Sequence, residues 1–70
     1  MKTKEYRVYC KAPGQKRFKA VGSYGDGGVC QVDRLFYAYY WLEAQKDHAI
    51  RFLEYAREQA PEYEWELRYC

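Results

Sequence analysis

The sequence contains few of the side chains that carry out acid–base or nucleophilic catalysis. It has one histidine, His48, one serine, Ser23, and one threonine, Thr3. A hydroxyl or thiol nucleophile needs a base within hydrogen-bonding reach and a further group that orients this base. So small a supply predicts a protein that is not an enzyme and needs no cofactor, with His48 exposed in the first turn of a helix.

Long apolar segments and paired cysteines are also missing. No run approaches the roughly 20 apolar residues that cross a bilayer as a helix, and the polar amino-terminal residues do not read as a secretory signal. Cys10, Cys30 and Cys70 make an odd count, and their spacing fits no zinc motif. We therefore expect free thiols, with Cys10 buried and Cys70 accessible, no metal, no membrane contact, and a reducing cytosol.

Charge is unevenly distributed, although the net charge is only +2. Residues 1–21 carry seven basic residues against one acidic residue, whereas residues 35–70 carry seven acidic residues against four basic ones. One interpretation is that the two ends pair with each other inside the fold. The other is a particle with two electrostatically different sides.

Aromatic residues are what this chain has in excess. It contains nine Tyr, three Phe and two Trp, and between Phe36 and Trp41 five of six residues are aromatic. A chain of this size buries only about 60% of its unfolded surface, and aromatic rings are one way to increase the area that each core residue buries. The rings therefore either fill the core or form a surface with another purpose. Exposed rings that cluster on a protein surface are typical of an interface.

Alternation and turn residues predict a β-hairpin near the amino terminus. Residues 5–10 alternate between two faces, Pro13-Gly14 suits a type II turn, and residues 17–22 return as the second strand. The side chains expected to face the core are Tyr6, Val8, Cys10, Phe18 and Ala20. Those expected to face outward are Arg7, Tyr9, Arg17, Lys19 and Val21.

The carboxyl-terminal half predicts a helix and a final strand. Apolar residues recur every three or four positions between residues 44 and 60, and Pro61 ends this pattern. The stripe consists of Ala49, Phe52, Leu53, Ala56 and Ala60. Residues 63–69 then alternate between an apolar face and a charged face. The apolar face carries Tyr63, Trp65, Leu67 and Tyr69, and the charged face carries Glu64, Glu66 and Arg68.

Two segments in the middle are harder to assign. Residues 22–33 hold four of the five glycines and are predicted to be a loop. Residues 34–42 fit either a strand or the start of a helix capped by Asp33, but one helix from 34 to 60 would be unusually long. Aromatic residues favour strands. We therefore predict a strand, with Leu35, Tyr37, Tyr39 and Trp41 on one face and Phe36, Ala38 and Tyr40 on the other.

These elements predict a single α+β domain over residues 1–70. It consists of a hairpin, a third strand, one helix and a carboxyl-terminal strand in a small antiparallel sheet, with the helix on one face. The sheet face expected beneath the helix carries Val8, Phe18, Phe36, Ala38, Trp65 and Leu67.

Most of the chain outside residues 22–33 consists of three stretches, YRVYCKAPGQKRFKAVG, RLFYAYYW and HAIRFLEYAREQAPEYEWELRYC. They resemble a group of small uncharacterised proteins from phages, prophages and conjugative elements of Gram-positive bacteria, which implies a bacterial host cell. The chain departs from that group in its glycine-rich loop and its heavier aromatic content. The resemblance implies a mobile-element origin. Small proteins of this origin often bind and disable a host defence factor, as anti-CRISPR proteins do with CRISPR-Cas effectors.

A function and a surface for it follow from the excess of rings. One helix covers one sheet face, so rings and cations on the other face remain exposed, and Tyr, Trp and Arg often dominate binding energy. We predict a non-enzymatic protein that binds a host protein. A homodimer that buries these rings, and nucleic-acid binding through the same face as second choice, are the alternatives. The surface is expected to consist of Arg7, Tyr9, Arg17, Lys19, Tyr37, Tyr39 and Trp41.

Overall fold

A sheet of five strands packs against one helix in the computed structural model of the protein, which describes residues 4–25 and 28–70. In chain order the elements are β1 (Glu5–Lys11), β2 (Lys19–Gly22), β3 (Cys30–Val32), β4 (Trp41–Leu42), α1 (Lys46–Gln59) and β5 (Glu64–Tyr69). All strand pairs are antiparallel. The predicted α+β class, with one helix on an antiparallel sheet, is confirmed.

The first strand lies in the middle of the sheet because both of its edges are occupied. β5 pairs along one edge, with Val8 opposite Leu67. β2 and β4 share the other edge end to end, β2 beside the carboxyl-terminal half of β1 and β4 beside its first two residues. β3 pairs with β2 and forms one outer edge of the sheet, and β5 forms the opposite edge.

The predicted hairpin between β1 and β2 is confirmed. In its turn the backbone N–H of Gln15 donates to the carbonyl of Ala12 at 3.0 Å, and Gly14 has a φ of 87°. A type II turn requires this positive angle at its third position. Pro13-Gly14 therefore sets the turn in the way that the sequence predicts.

The main core lies between α1 and the sheet face that it covers. The buried side chains of α1 are those of the predicted stripe, Ala49, Leu53 and Ala56. The sheet contributes Val8, Cys10 and Val21. Half-buried side chains surround them, namely Trp41, Phe52, Tyr63, Trp65 and Leu67. The apolar face of β5 therefore meets the helix as predicted.

Three side chains of the predicted second hairpin strand differ from the prediction, because β2 is buried on both faces. The register places Ala20 opposite Tyr9, on the face away from the helix, so Val21 turns toward the helix and is only 1% exposed. Phe18 lies on the side away from the helix, beneath the guanidinium of Arg68. The expectations that Phe18 and Ala20 face the main core and that Val21 faces outward are therefore wrong.

The segment before the helix forms neither the predicted strand nor a longer helix. Leu35–Tyr37 make one 3₁₀ turn, Ala38 forms an isolated bridge with Gly22, and only Trp41–Leu42 pairs as a strand. The two alternating faces expected for this segment therefore do not exist. Ala38 joins a second, small cluster on the face away from the helix, where it packs with Ala20 and Val32.

A close crossing at Gly22 explains this path. A Cβ atom on Gly22 would lie 2.0 Å from the carbonyl oxygen of Tyr37 and 2.7 Å from the Cα of Ala38. Beyond the crossing, the backbone N–H of Tyr39 donates to the carbonyl of Val21 at 3.0 Å. Only glycine allows two backbones to approach so closely, so this residue lets the chain pass over the end of β2 and enter the sheet beside β1.

The glycine-rich segment contains a strand that the sequence did not predict. Gln31 in β3 stands opposite Val21, and its side-chain amide donates to the carbonyl of Cys10 at 3.1 Å. The part of the expected loop at residues 26 and 27 lies outside the described residues. Over the described part of the chain, no helix is long and apolar enough to span a membrane.

Candidate interaction surface

The structure distributes the seven predicted surface residues over separate places. Arg7 and Tyr9 lie on the sheet face away from α1, which we call the open face. Arg17 and Lys19 are exposed near the hairpin turn, and Lys19 pairs with Asp33 at 3.7 Å. The remaining three, Tyr37, Tyr39 and Trp41, separate at the crossing. The structure therefore does not bring the seven residues together on one face.

Two of these aromatic residues belong to the helix side of the molecule. The rings of Trp41 and Phe52 have centroids 5.2 Å apart, and those of Tyr39 and Phe52 have centroids 5.7 Å apart. Both Tyr39 and Trp41 are half-buried. We call Tyr39, Trp41 and Phe52 the packed rings; they anchor the segment before the helix to the core.

On the open face, the protein's own cations cover the aromatic rings. The guanidinium of Arg68 lies 4.2 Å from the ring centroid of Tyr9, and the ammonium of Lys11 lies 5.3 Å from that of Phe18. Both cations are also paired with carboxylates, Lys11 with Glu64 at 2.8 Å and Arg68 with a glutamate of its own strand. A ring capped in this way offers no free surface on which a base could stack.

One ion pair on this face joins the two oppositely charged ends of the sequence. Lys11 belongs to the basic front of the chain and Glu64 to the acidic back, and they stand opposite each other in β1 and β5. Arg7 pairs instead with Glu5 two residues away, at 2.8 Å. Among the described residues, the pair of Lys11 with Glu64 is thus the one ion pair that joins the basic front to the acidic back, as the first interpretation expects.

The largest exposed aromatic surface lies at the crossing itself. Phe36 is 88% exposed, although it was expected to lie beneath the helix. Its ring meets that of Tyr37 edge-to-face at 5.3 Å, and Tyr37 in turn contacts Tyr24 at 4.9 Å. Leu35 is exposed beside them. We call these four residues, Tyr24, Leu35, Phe36 and Tyr37, the ring patch.

Hydrogen bonds hold the ring patch in a defined geometry. The backbone N–H of Ser23 donates to the carbonyl of Tyr37 at 3.1 Å, and that of Tyr37 donates to the carbonyl of Arg34 at 3.0 Å. The backbone N–H of Asp33 donates to the hydroxyl of Tyr24, also at 3.0 Å. These bonds define the backbone path of the ring patch and the position of the Tyr24 ring, and a defined backbone lowers the entropy cost of binding.

Sequence reasoning identified only Tyr37 among these four residues. Tyr24 stands in a glycine-rich stretch that read as a loop, and Phe36 was assigned to the inner face of a strand. The available signal was the pair of small residues Gly22 and Ala38, because a glycine and an alanine at a crossing permit close backbone approach. Nothing local in the sequence connects these two positions.

A cleft of about 470 Å³ opens on the helix side, between the end of α1 and β3. Cys10 lies in its floor, Tyr55 and Trp65 in its walls, and Glu62 at its rim. It arises because α1 packs mainly against β1, β4 and β5. The side-chain amide of Gln31, which could orient a ligand, is already bonded to Cys10 and to a glutamine of the turn.

The three thiols are free, with Cys10 buried and Cys30 and Cys70 exposed, as predicted for Cys10 and Cys70. Burial raises the pKa of the Cys10 thiol above its ordinary value of 9.0, so this thiol remains protonated and is a poor nucleophile. Across residues 4–25 and 28–70, no group of three or more His, Cys, Asp or Glu side chains could hold a metal ion.

Comparison with protein-family models, with curated proteins and with solved structures found no match for the chain.

Proposed function

We propose that the protein is a small non-enzymatic binding module that recognises another protein through the ring patch. The observation that carries this proposal is the exposure of Phe36, at 88%, beside the contacting rings of Tyr37 and Tyr24. A large apolar side chain in water gains free energy when a partner covers it. Aromatic side chains of this kind supply the dominant contacts in many protein interfaces.

A protein suits this patch better than a nucleic acid does. Single-stranded nucleic acids bind to aromatic platforms beside a basic groove, but Tyr9 and Phe18 on the open face are already covered by Arg68 and Lys11. Glutamates share that face and repel phosphates. The ring patch itself presents Leu35 and Phe36, which can neither hydrogen-bond to bases nor pair with phosphates.

The resemblance to proteins of phages and conjugative elements extends the proposal to the kind of partner. We propose a host protein in the bacterial cytoplasm, with a defence factor such as a CRISPR-Cas effector as one example. The support for this extension is the resemblance in sequence alone. The ring patch indicates what the partner's surface should be like: the partner should present an apolar pocket or groove that accepts the Phe36 ring.

Paired variants test this function. Immobilised wild-type protein, Phe36→Ala and Tyr55→Ala should each be exposed to lysate of a Gram-positive host. Tyr55 is 58% exposed on the helix, so its variant controls for the loss of any exposed ring. A true partner should be retained by the wild type and by Tyr55→Ala, but lost from Phe36→Ala, with a cost of about 2 kcal/mol or more in binding.

Salt separates the two partner classes in the same experiment. A nucleic-acid complex weakens steeply as salt rises, because each phosphate contact releases counterions, whereas a complex held by apolar rings weakens little. If the captured species are nucleic acids that leave at moderate salt, or if Phe36→Ala retains everything that the wild type retains, the proposed function is wrong.

A further inference from the structure

The outer edge of β5 is the longest strand edge that the described residues leave without a partner. β5 runs from Glu64 to Tyr69, and its residues pair with β1 alone. β3, at the other side of the sheet, has only three residues. A strand edge presents a row of N–H and C=O groups that another strand can pair with.

The hydrogen-bond pattern shows which residues of β5 point toward this free edge. Glu5 and Cys70 exchange both backbone hydrogen bonds, at 3.0 and 3.1 Å. Such pairs alternate with non-bonded pairs along an antiparallel ladder. Glu64, Glu66 and Arg68 therefore direct their backbone groups toward β1. The residues whose N–H and C=O groups point outward are Trp65, Leu67 and Tyr69.

We infer that a second copy of the chain pairs with this edge, β5 against β5 in antiparallel orientation, with Leu67 of one copy opposite Leu67 of the other. In that register the three outward-pointing residues meet one another, because Trp65 of each copy stands opposite Tyr69 of the second copy. Each of these pairs exchanges two backbone hydrogen bonds. A two-fold axis through Leu67 relates the two copies.

Charge complementarity selects this arrangement. With Leu67 at the centre, Glu66 of each copy stands opposite Arg68 of the second copy, on the open face of the joined sheet. Within one chain these two side chains already form an ion pair and are each a little under half exposed. The second copy would extend the pair into a cluster of two carboxylates and two guanidiniums with alternating sign, and opposite charges on facing strands stabilise a sheet.

The neighbouring registers lack this match. A shift that centres the axis on Glu66 places Glu66 against itself, and one that centres it on Arg68 places Arg68 against itself. Like charges directly opposite each other destabilise a sheet. A shift that centres the axis on Trp65 sets Glu64 against Glu66 of the second copy. Among these registers, only the one centred on Leu67 pairs opposite charges without also opposing like charges.

The same arrangement leaves the ring patch free. The patch lies beside β2 and β3, and β1 separates it from β5. A two-fold axis perpendicular to the sheet places both helices on one face and one ring patch at each far side. The dimer and the proposed partner therefore use different surfaces, and each can be tested without the other.

Charge reversal provides the test, with sedimentation velocity or light scattering as the readout. The wild type should reach twice the chain mass of 8.5 kDa as concentration rises. Glu66→Arg places the new arginine of each copy opposite Arg68 of the second copy, so that like charges meet at both symmetric contacts. Arg68→Glu places a glutamate opposite Glu66 in the same way. Each variant alone should therefore weaken the dimer about tenfold or more. An equimolar mixture of the two variants should restore it as a heterodimer.

The double variant Glu66→Arg with Arg68→Glu should also restore the dimer, because it exchanges the two charges. Glu64→Gln should not weaken the dimer, because in this register no charged side chain of the second copy stands opposite Glu64. In a register centred on Glu66, the same substitution would remove an ion pair between Glu64 and Arg68 of the second copy. Far-UV circular dichroism checks that each variant is folded.

A wild type that stays monomeric at millimolar concentration would overturn the inference. So would two single variants that remain monomers when mixed. Phe36→Ala should dimerise like the wild type, which separates failure of this inference from failure of the proposed function.

Discussion

The packed rings and the ring patch come from the same short stretch of sequence, yet they have opposite environments. Tyr39 and Trp41 are half-buried against Phe52 of the helix, whereas Phe36 and Tyr37 project into solvent. Only Ala38 separates the two pairs. The difference shows that the position of the chain, rather than the type of side chain, decides which rings become core.

The crossing at Gly22 produces this division. Before the crossing, a 3₁₀ turn carries its residues outside the sheet, and none of the three is buried. After it, the backbone joins β1 as β4 and brings Trp41 under the helix. Phe36 and Tyr37, before the crossing, are therefore exposed, whereas Tyr39 and Trp41, after it, pack against Phe52 of the helix.

Trp41→Ala should show the largest effect on stability. It removes a ring that packs against Phe52 and the main core, and loss of a large core ring costs about 3–5 kcal/mol. Because Trp41 is only half-buried, we expect about 3 kcal/mol by the same reasoning. Denaturant unfolding measures this change. A loss below about 1 kcal/mol would place Trp41 among the exposed rings and contradict the comparison.

Gly22→Ala should rank second. Its methyl group would collide with backbone atoms of Tyr37 and Ala38, and overpacking of this kind costs about 1–3 kcal/mol. Gly14→Ala is the matched control, since it places a side chain in the left-handed region with no neighbour within 4 Å and should cost about 1–2 kcal/mol. Thermal unfolding that ranks Gly14→Ala as the more harmful change would argue against the close crossing.

A smaller effect should appear as pH dependence from Cys10, which lies in the core beneath the packed rings. Because its pKa is raised in the folded state, the thiol of the unfolded chain ionises first as pH rises. The free energy of unfolding should therefore fall as pH rises above about 9, until the folded thiol also ionises. Cys10→Ala should lack this part of the fall. Equal pH profiles for both proteins would show that Cys10 is not shielded.

Phe36→Ala should have the smallest effect on stability, within about 0.5 kcal/mol, as expected for an exposed side chain. Its effect should appear instead in partner binding. Heat denaturation should compare the stability lost in Phe36→Ala with that lost in Trp41→Ala. The two rings are only five positions apart in the sequence, so a large difference would reflect their different environments. Marked unfolding of Phe36→Ala would assign it to the core.

The parts of the fold that were predictable are those set by local pattern. The hairpin follows from Pro13-Gly14, the helix from its stripe of alanines and Leu53, and the last strand from seven residues of unbroken alternation. The path of residues 34–42 was not predictable, since it depends on contact between Gly22 and Ala38. Val21 was misplaced for a related reason: β2 is covered on both faces, so alternation carries no information about its orientation.

The candidate surface was predicted in kind but not in place. The amino-acid composition indicated an excess of aromatic rings. Of the predicted surface residues, Tyr37 lies in the ring patch. The sequence could not show that two cations would cover the rings of the open face. Arg68 is distant in sequence from Tyr9, which it covers, and Lys11 precedes the hairpin turn whereas Phe18, which it covers, follows it. Such capping depends on the register between strands from different parts of the chain.

The central position of β1 has a consequence for how the chain folds. Its partner on one edge, β5, is the last strand, so that Tyr6 pairs with Tyr69. Pairings between residues so distant in sequence form slowly, because closing a long loop costs chain entropy before the new contacts can stabilise it. The hairpin and the helix should therefore form early, and the addition of β5 should limit the folding rate. Substitutions in the β1–β5 contact would then slow folding, whereas those in the ring patch would leave its rate unchanged.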